Sequence, residues 1–163
     1  MKRQVFYSFH YGNDVMRVQQ IRNMGILEGN EPVSPNEWEQ VKRSGDAAIK
    51  RWIDSNMKYR SCVIVLIGEE TSNRPWVKYE IEKAWAEKRP MLGIYIHNLK
   101  DPRTGTCRQG ENPFSQYTVN GRNLSELIPC YNPNSFDAYN DIKNNLSSWI
   151  ETAIQKNIIN SYL

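Results

Sequence analysis

Continuous or alternating apolar stretches punctuate the chain, and between them apolar positions recur at helical intervals. Val5-Phe6-Tyr7-Ser8-Phe9 is aromatic and β-branched and stops at Gly12-Asn13-Asp14, which predicts a first strand ending in a turn. Val15, Val18 and Ile21 follow at helical spacing and predict a first helix over Val15 to Asn23, with Asp14 placed to cap it. Met24-Gly25-Ile26-Leu27 predicts a short strand, and the polar, Pro-containing stretch from Glu28 to Glu39 a long loop. A second helix opens at Ser44-Gly45-Asp46, with Ile49, Trp52, Ile53 and Met57 on its apolar face. Cys62 to Ile67 has no polar interruption, the pattern of a strand covered on both faces. Thr71-Ser72-Asn73-Arg74-Pro75 then starts a helix with Pro in its first turn, expected to run to about Lys88. Met91 to Ile96 is another buried strand, and His97 to Asn123, rich in Gly, Pro, Asn and Arg, an irregular insertion. Ser135 to Asn157 predicts a long terminal helix with Phe136, Tyr139, Ile142, Leu146, Trp149, Ile150, Ala153 and Ile154 on its stripe.

Strands alternating with helices predict an α/β fold with a central parallel sheet wrapped on both faces, in a flavodoxin-like three-layer sandwich. With 163 residues the whole chain, 1–163, is expected to form a single domain. In the strand order 2-1-3-4-5 the winding reverses between the first and third strands, and ligands bind outside their carboxyl ends. Two loops are thereby singled out: His10 to Asp14, and Gly68 to Pro75.

Composition narrows the function. The 21 Lys+Arg against 18 Asp+Glu leave a net charge of +3, too even for a nucleic-acid footprint. The apolar fraction is a modest 39%, but the 11% of aromatic residues argues against disorder. Three widely spaced cysteines and two histidines make neither a disulfide framework nor a zinc set, so no metal is expected. The longest apolar run is far below the roughly 20 residues that span a bilayer, and Met1-Lys2-Arg3-Gln4 does not open a signal peptide; a cytoplasmic, reduced protein without a membrane partner is expected. Neither a Gly-x-Gly-x-x-Gly or Walker loop nor a Gly-x-Ser-x-Gly elbow is present.

The second loop opens a helix in which Val77, Ile81, Ala84 and Lys88 share the inner stripe, while Glu82 and Glu87 point to solvent. Glu80 falls on the shoulder of that stripe. By position alone two readings stay open. Glu80 is a solvated residue of the helix start, favoured by the macrodipole or paired with Lys83 or Lys88, or it is a carboxylate of raised pKa that touches a substrate hydroxyl. Ser72 and Asn73 are placed to cap the helix or, with Arg74 and free N–H groups, to receive a phosphate.

Val5-Phe6-Tyr7-Ser8-Phe9-His10, with Asp14 shortly after, resembles the first signature of TIR domains, and Trp76-Val77-Lys78-Tyr79-Glu80-Ile81 resembles their Trp-x-x-x-Glu-Leu helix signature. The Ser-Phe-His-Tyr end of the first strand, Trp38-Glu39 and Asn112-Pro113-Phe114 are similar to the TIR-like branch of bacterial Thoeris anti-phage defence. Two departures stand out: Val77 occupies a position where the family often carries cysteine, and the loop after the second strand is hard to align. The resemblance spans roughly Lys2 to Phe114 and implies that Glu80 is the catalytic residue of an NAD-cleaving enzyme, with NAD+ as substrate rather than cofactor. Ser8, Phe9 and His10 would then meet nicotinamide or ribose, and Ser72, Asn73 and Arg74 a phosphate. It further implies a diffusible ADP-ribose-derived nucleotide, cyclised, that reaches a separate effector protein, with homo-oligomer assembly or a phage-derived trigger switching activity on. The alternative is a non-catalytic TIR-like interaction module.

Overall fold

A computed structural model describes residues 2–30 and 35–160. Its core is a five-stranded parallel sheet in the order β2-β1-β3-β4-β7. The strands are β1 (Gln4–Ser8), β2 (Glu28–Gly29), β3 (Cys62–Ile67), β4 (Met91–Tyr95) and, after a small β5 (Thr118–Val119)/β6 (Arg122–Asn123) hairpin, β7 (Cys130–Tyr131). This is the expected flavodoxin-like winding. β1 and β3 lie in register with Ser8 opposite Val65, so the chain leaves both strands at the same edge of the sheet.

Among the described residues six helices cover the sheet: α1 (Tyr11–Asn23), α2 (Pro35–Arg43), α3 (Asp46–Met57), α4 (Pro75–Ala86), α5 (Leu124–Leu127) and α6 (Ala138–Asn160). α1 and α6 pack Val18, Ile21, Ile142, Leu146 and Ile150 against Tyr7, Ile64 and Leu92 on one face. On the other, α3 and α4 pack Ile49, Ile53, Val77 and Ile81 against Phe6, Val63 and Val65, joined by Phe114 of the insertion. β3 is buried along its whole length because both layers close over it.

Several expectations are corrected. α1 begins at Tyr11, so Asp14 lies inside the helix, fully buried, and is not its cap. Its carboxylate pairs with Arg17 at 2.8 Å, a buried alternative to capping that the turn-like Gly12-Asn13-Asp14 conceals. The second strand forms at Glu28–Gly29 rather than 24–27, because Met24 ends α1 and Gly25 turns the chain at φ +71°. The stretch read as a loop from Glu28 to Glu39 contains the start of α2, which places Trp38 and Glu39 on a helix; its middle, 31–34, lies outside the described residues. α4 ends at Ala86, and Lys88, at φ +57°, is exposed rather than on the inner stripe. Within the insertion a one-turn helix, Pro113–Gln116, carries the buried Phe114. At α6 the chain is first turned by Asn134, whose Oδ1 accepts from the Phe136 N–H while its own N–H donates to Asp141. Phe136 therefore precedes the helix and is 97% exposed instead of joining its stripe; Tyr139 is exposed as well.

Candidate active site

The carboxyl end of β1 and the start of α4, the helix that follows β3, border a cleft of about 500 Å³. Its making is local. After β3, the Thr71 hydroxyl accepts from the Gly68 N–H and donates to the Leu66 carbonyl, folding the loop into a single 3-10 turn (Thr71–Asn73). Pro75 then starts α4 with the φ a helix needs and without an N–H to leave unpaired. Glu80, a turn and a half further on, is carried with Val77, Ile81 and Ala84 onto the buried face.

Glu80 is only 6% exposed and lines the cleft. The Ser8 hydroxyl donates to its Oε1 at 2.7 Å. Burial pushes the carboxyl up to about 8, outweighing the Ser8 bond, which favours the ionised form. Phe9 and His10, both half-buried, line the same cleft. The His10 Nδ1 is buried without a partner, and burial and then the nearby Arg74 charge lower its pKa, which keeps the ring neutral. Arg74, the residue before α4, also lines the cleft; it donates to Glu70 at 2.9 Å, while its Nε is buried without a partner.

Ser8, Phe9, His10, Arg74 and Glu80 are thus brought together, and Ser72 and Asn73 are not. Ser72 is buried in the 3-10 turn, where its carbonyl accepts from the Gln116 amide at 2.8 Å. Asn73 is exposed away from the cleft. Neither caps α4 through its side chain, because the 3-10 turn places Arg74 at the cap.

The larger surprise is aromatic. Phe9 stacks on Tyr11 with ring centres 6.3 Å apart, Tyr11 stacks on Trp38 at 6.3 Å, and Trp38 meets Trp52 edge-on at 6.0 Å. This run lines the cleft together with Trp76. Asn30 lines it too, its Oδ1 accepting from the Tyr7 N–H at 2.7 Å and tying the exit of β2 to β1. The resemblance marks Tyr11 and Trp38 but gives them no role in the site, and nothing in the sequence assigns one to Asn30 or Trp52. The available signal was Trp38 with Val41 at helical spacing in an otherwise polar stretch. Among the described residues no group of three His, Cys, Asp or Glu could hold a metal, all three cysteines are free, and no helix is long and apolar enough to cross a membrane.

A buried carboxylate beside an aromatic-lined cleft at a topological switch point suits a flat, cation-bearing ligand. The sequence profile described as "Thoeris protein ThsB, TIR-like domain" matches residues 6–101, a span that carries β1, α2 and α4 and hence both walls of the cleft. A protein of Bacillus cereus (strain MSX-D12) named "Putative cyclic ADP-D-ribose synthase ThsB1" is 35% identical over 133 residues, covering 76% of this chain and 69% of that protein. The chain belongs to the TIR-like family of Thoeris ThsB proteins.

Proposed function

We propose that this chain is an NAD+-consuming enzyme of anti-phage defence, which cleaves the nicotinamide–ribose bond and releases a cyclised ADP-ribose-derived nucleotide read by a separate effector protein. The observation that carries the reading is Glu80, recessed at the end of β1, oriented by Ser8, in a cleft walled by aromatic rings. The name of the Bacillus cereus relative, a cyclic ADP-D-ribose synthase, supports it.

The chemistry needs little more. Nicotinamide leaves NAD+ as a neutral ring, taking the electron pair of the breaking bond, so no general acid is required. Positive charge develops on the ribose, and a carboxylate fixed beside it in a water-poor site stabilises that charge more than the ground state. The Ser8 bond holds Oε1 and leaves Oε2 for a ribose hydroxyl. With its pKa near 8, Glu80 is largely protonated in the free protein at pH 7, and the pyridinium charge of the substrate favours its ionised form. Phe9 offers a face to nicotinamide or ribose, neutral His10 a polar contact, and Arg74 with its spare Nε a contact for the pyrophosphate.

The test compares the parent with Glu80→Gln in cells before and after phage infection, with metabolites extracted for mass analysis. Nicotinamide and cyclised product accumulate after infection with the parent and fall roughly 100-fold or more with Glu80→Gln. Parental NAD+ consumption by Glu80→Gln would overturn the reading.

A further inference from the structure

We infer that Glu70, which does not line the cleft, is a positioning residue of the reaction: it ties Arg74 at the head of α4 to Asn13 of α1 and so holds the guanidinium ready for the pyrophosphate of the dinucleotide. The inference rests on the reading of the cleft as a site of NAD+ cleavage.

The geometry is a three-residue bridge. One carboxylate oxygen of Glu70, Oε2, accepts from the Asn13 side-chain amide at 2.8 Å and from the Arg74 Nη2 at 2.9 Å. The bridge joins the segments that follow β1 and β3, where the winding of the sheet reverses. The backbone of Glu70 is itself fixed, because its carbonyl accepts from the Asn73 N–H at 3.2 Å as the 3-10 turn begins. Neighbouring Glu69 serves the insertion instead, its Oε1 accepting from the Arg108 N–H at 3.1 Å. Of these two adjacent carboxylates, Glu70 is the one bonded to a residue of the cleft wall.

Arg74 needs such a hold. Its side chain is 40% exposed, and an arginine left to itself there samples rotamers that carry its charge out into water. Glu70 engages only Nη2, while Nε is buried with no partner among the described residues. A buried N–H without an acceptor is costly, and an anion entering the cleft supplies the acceptor in a charge-assisted bond. The hydrogen bond from Asn13, and then that from Arg74, keep the Glu70 carboxyl below the usual carboxylate range, so the bridge is ionic at neutral pH. That negative charge works against an incoming anion. Glu70 is half-exposed and does not line the cleft, however, so water and salt screen the repulsion while the hydrogen bonds persist. Positioning outweighs repulsion, and removing Glu70 weakens substrate binding.

The readout is the KM for NAD+, which does not depend on how much folded enzyme is present. Lysates of infected cells carrying the tagged parent or a variant are desalted, and nicotinamide release is followed against added NAD+. The Glu80→Gln lysate is the blank, and the tag measures the amount of enzyme for kcat. Glu70→Ala raises KM by about tenfold or more and leaves kcat within about threefold, as loss of binding common to ground and transition states does. Inhibition by added ADP-ribose, which carries the same pyrophosphate, weakens by a similar factor. Glu70→Gln, which keeps an oxygen for both donors, brings KM back to within about threefold of the parent. Asn13→Ala raises KM in the same direction but adds little to Glu70→Ala, because it acts through Glu70. Glu69→Gln, which removes the adjacent charge, leaves KM unchanged. The urea midpoint of purified Glu70→Ala stays with the parent, since a half-exposed ion pair contributes little to stability. An unchanged or lowered KM in Glu70→Ala, a loss confined to kcat, a rise in KM without weaker ADP-ribose inhibition, or an equal rise with Glu69→Gln overturns the positioning role while leaving NAD+ cleavage intact. A parent lysate that releases no nicotinamide above the Glu80→Gln blank overturns the underlying reading instead.

Discussion

Glu80 combines a site that penalises its charge with a proposed role that needs it, and its titration should show both. Its carboxyl, pushed up to about 8 by burial, binds a proton in the folded protein at pH values where an unfolded glutamate, near 4.5, has lost it. Between those two values the folded state holds more protons than the unfolded one, so Glu80 lowers stability as pH rises from about 4.5 to about 8 and adds no further slope above. Glu80→Gln removes that slope. Urea unfolding across the range is expected to show the variant gaining on the parent by up to a few kcal/mol at pH 8, since a tenfold change in proton affinity is about 1.4 kcal/mol. Activity should run the other way. On the proposed role, kcat/KM for NAD+ rises with pH along one ionisation, is half-maximal near pH 8 and levels about one unit above it, because the free enzyme must surrender that proton. Ser8→Ala displaces this limb to higher pH, since the lost hydrogen bond favours the ionised form. A flat profile between pH 6 and 8 would sever Glu80 from the chemical step.

Among the elements, α1 is held to the insertion by two side chains, Gln20, which donates to the Lys100 carbonyl at 2.7 Å, and the buried Arg17. Arg17 is buried; it pairs with Asp14 at 2.8 Å and donates to the carbonyls of Leu99 at 2.9 Å and Gly105 at 2.7 Å. Arg17→Leu leaves the Asp14 carboxylate buried without its cation and the Leu99 carbonyl without its donor, and is expected to cost about 3–5 kcal/mol in urea unfolding. The double substitution Arg17→Leu with Asp14→Asn should recover part of the loss; a single variant within 1 kcal/mol of the parent would show the staple to be dispensable. This staple also marks where sequence stops being informative. Strands of five or six residues and the Val77–Ile81–Ala84 face of α4 repeat often enough to declare their period, and they put Phe9 and His10 just past β1 and Glu80 on the buried face of α4. α1 looked shorter than it is because Gly12, Asn13 and Asp14 are common turn residues, and only Arg17, distant from Leu99 and Gly105 in sequence, makes Asp14 acceptable inside a helix. α2 carries too few apolar residues to reveal its period, and its Trp38 has a meaning only against Tyr11 and Trp52, which come from two other helices. β7, at two residues, is too short to carry any pattern and is defined by its pairing with β4.

For the molecule as a whole, the two apolar layers share one sheet. Tyr7, Ile64 and Leu92 face α1 and α6, while Phe6, Val63, Val65 and Met91, their neighbours on the same strands, face α3 and α4. Neither layer can lose its helices without exposing strands whose other face is still packed. We therefore expect residues 2–30 and 35–160 to unfold as one cooperative unit, as a single domain does. The tryptophans provide the probes. Trp149 stacks on Tyr131 with ring centres 4.5 Å apart in the α6 layer, whereas Trp38, Trp52, Trp76 and Trp85 all pack in the α3–α4 layer. Replacing those four with phenylalanine leaves Trp149 as the only indole, and Trp149→Phe leaves the other layer's four. Each protein carries its own internal comparison, between tryptophan fluorescence and far-ultraviolet circular dichroism during urea unfolding. Within each, the two signals are expected to share one midpoint and one slope. A fluorescence transition that precedes the loss of secondary structure in one protein and not in the other would divide the molecule into two units along the plane of the sheet. The cleft would then sit on a layer able to open alone, since its outer wall of Trp38 and Trp52 belongs entirely to the α3–α4 side.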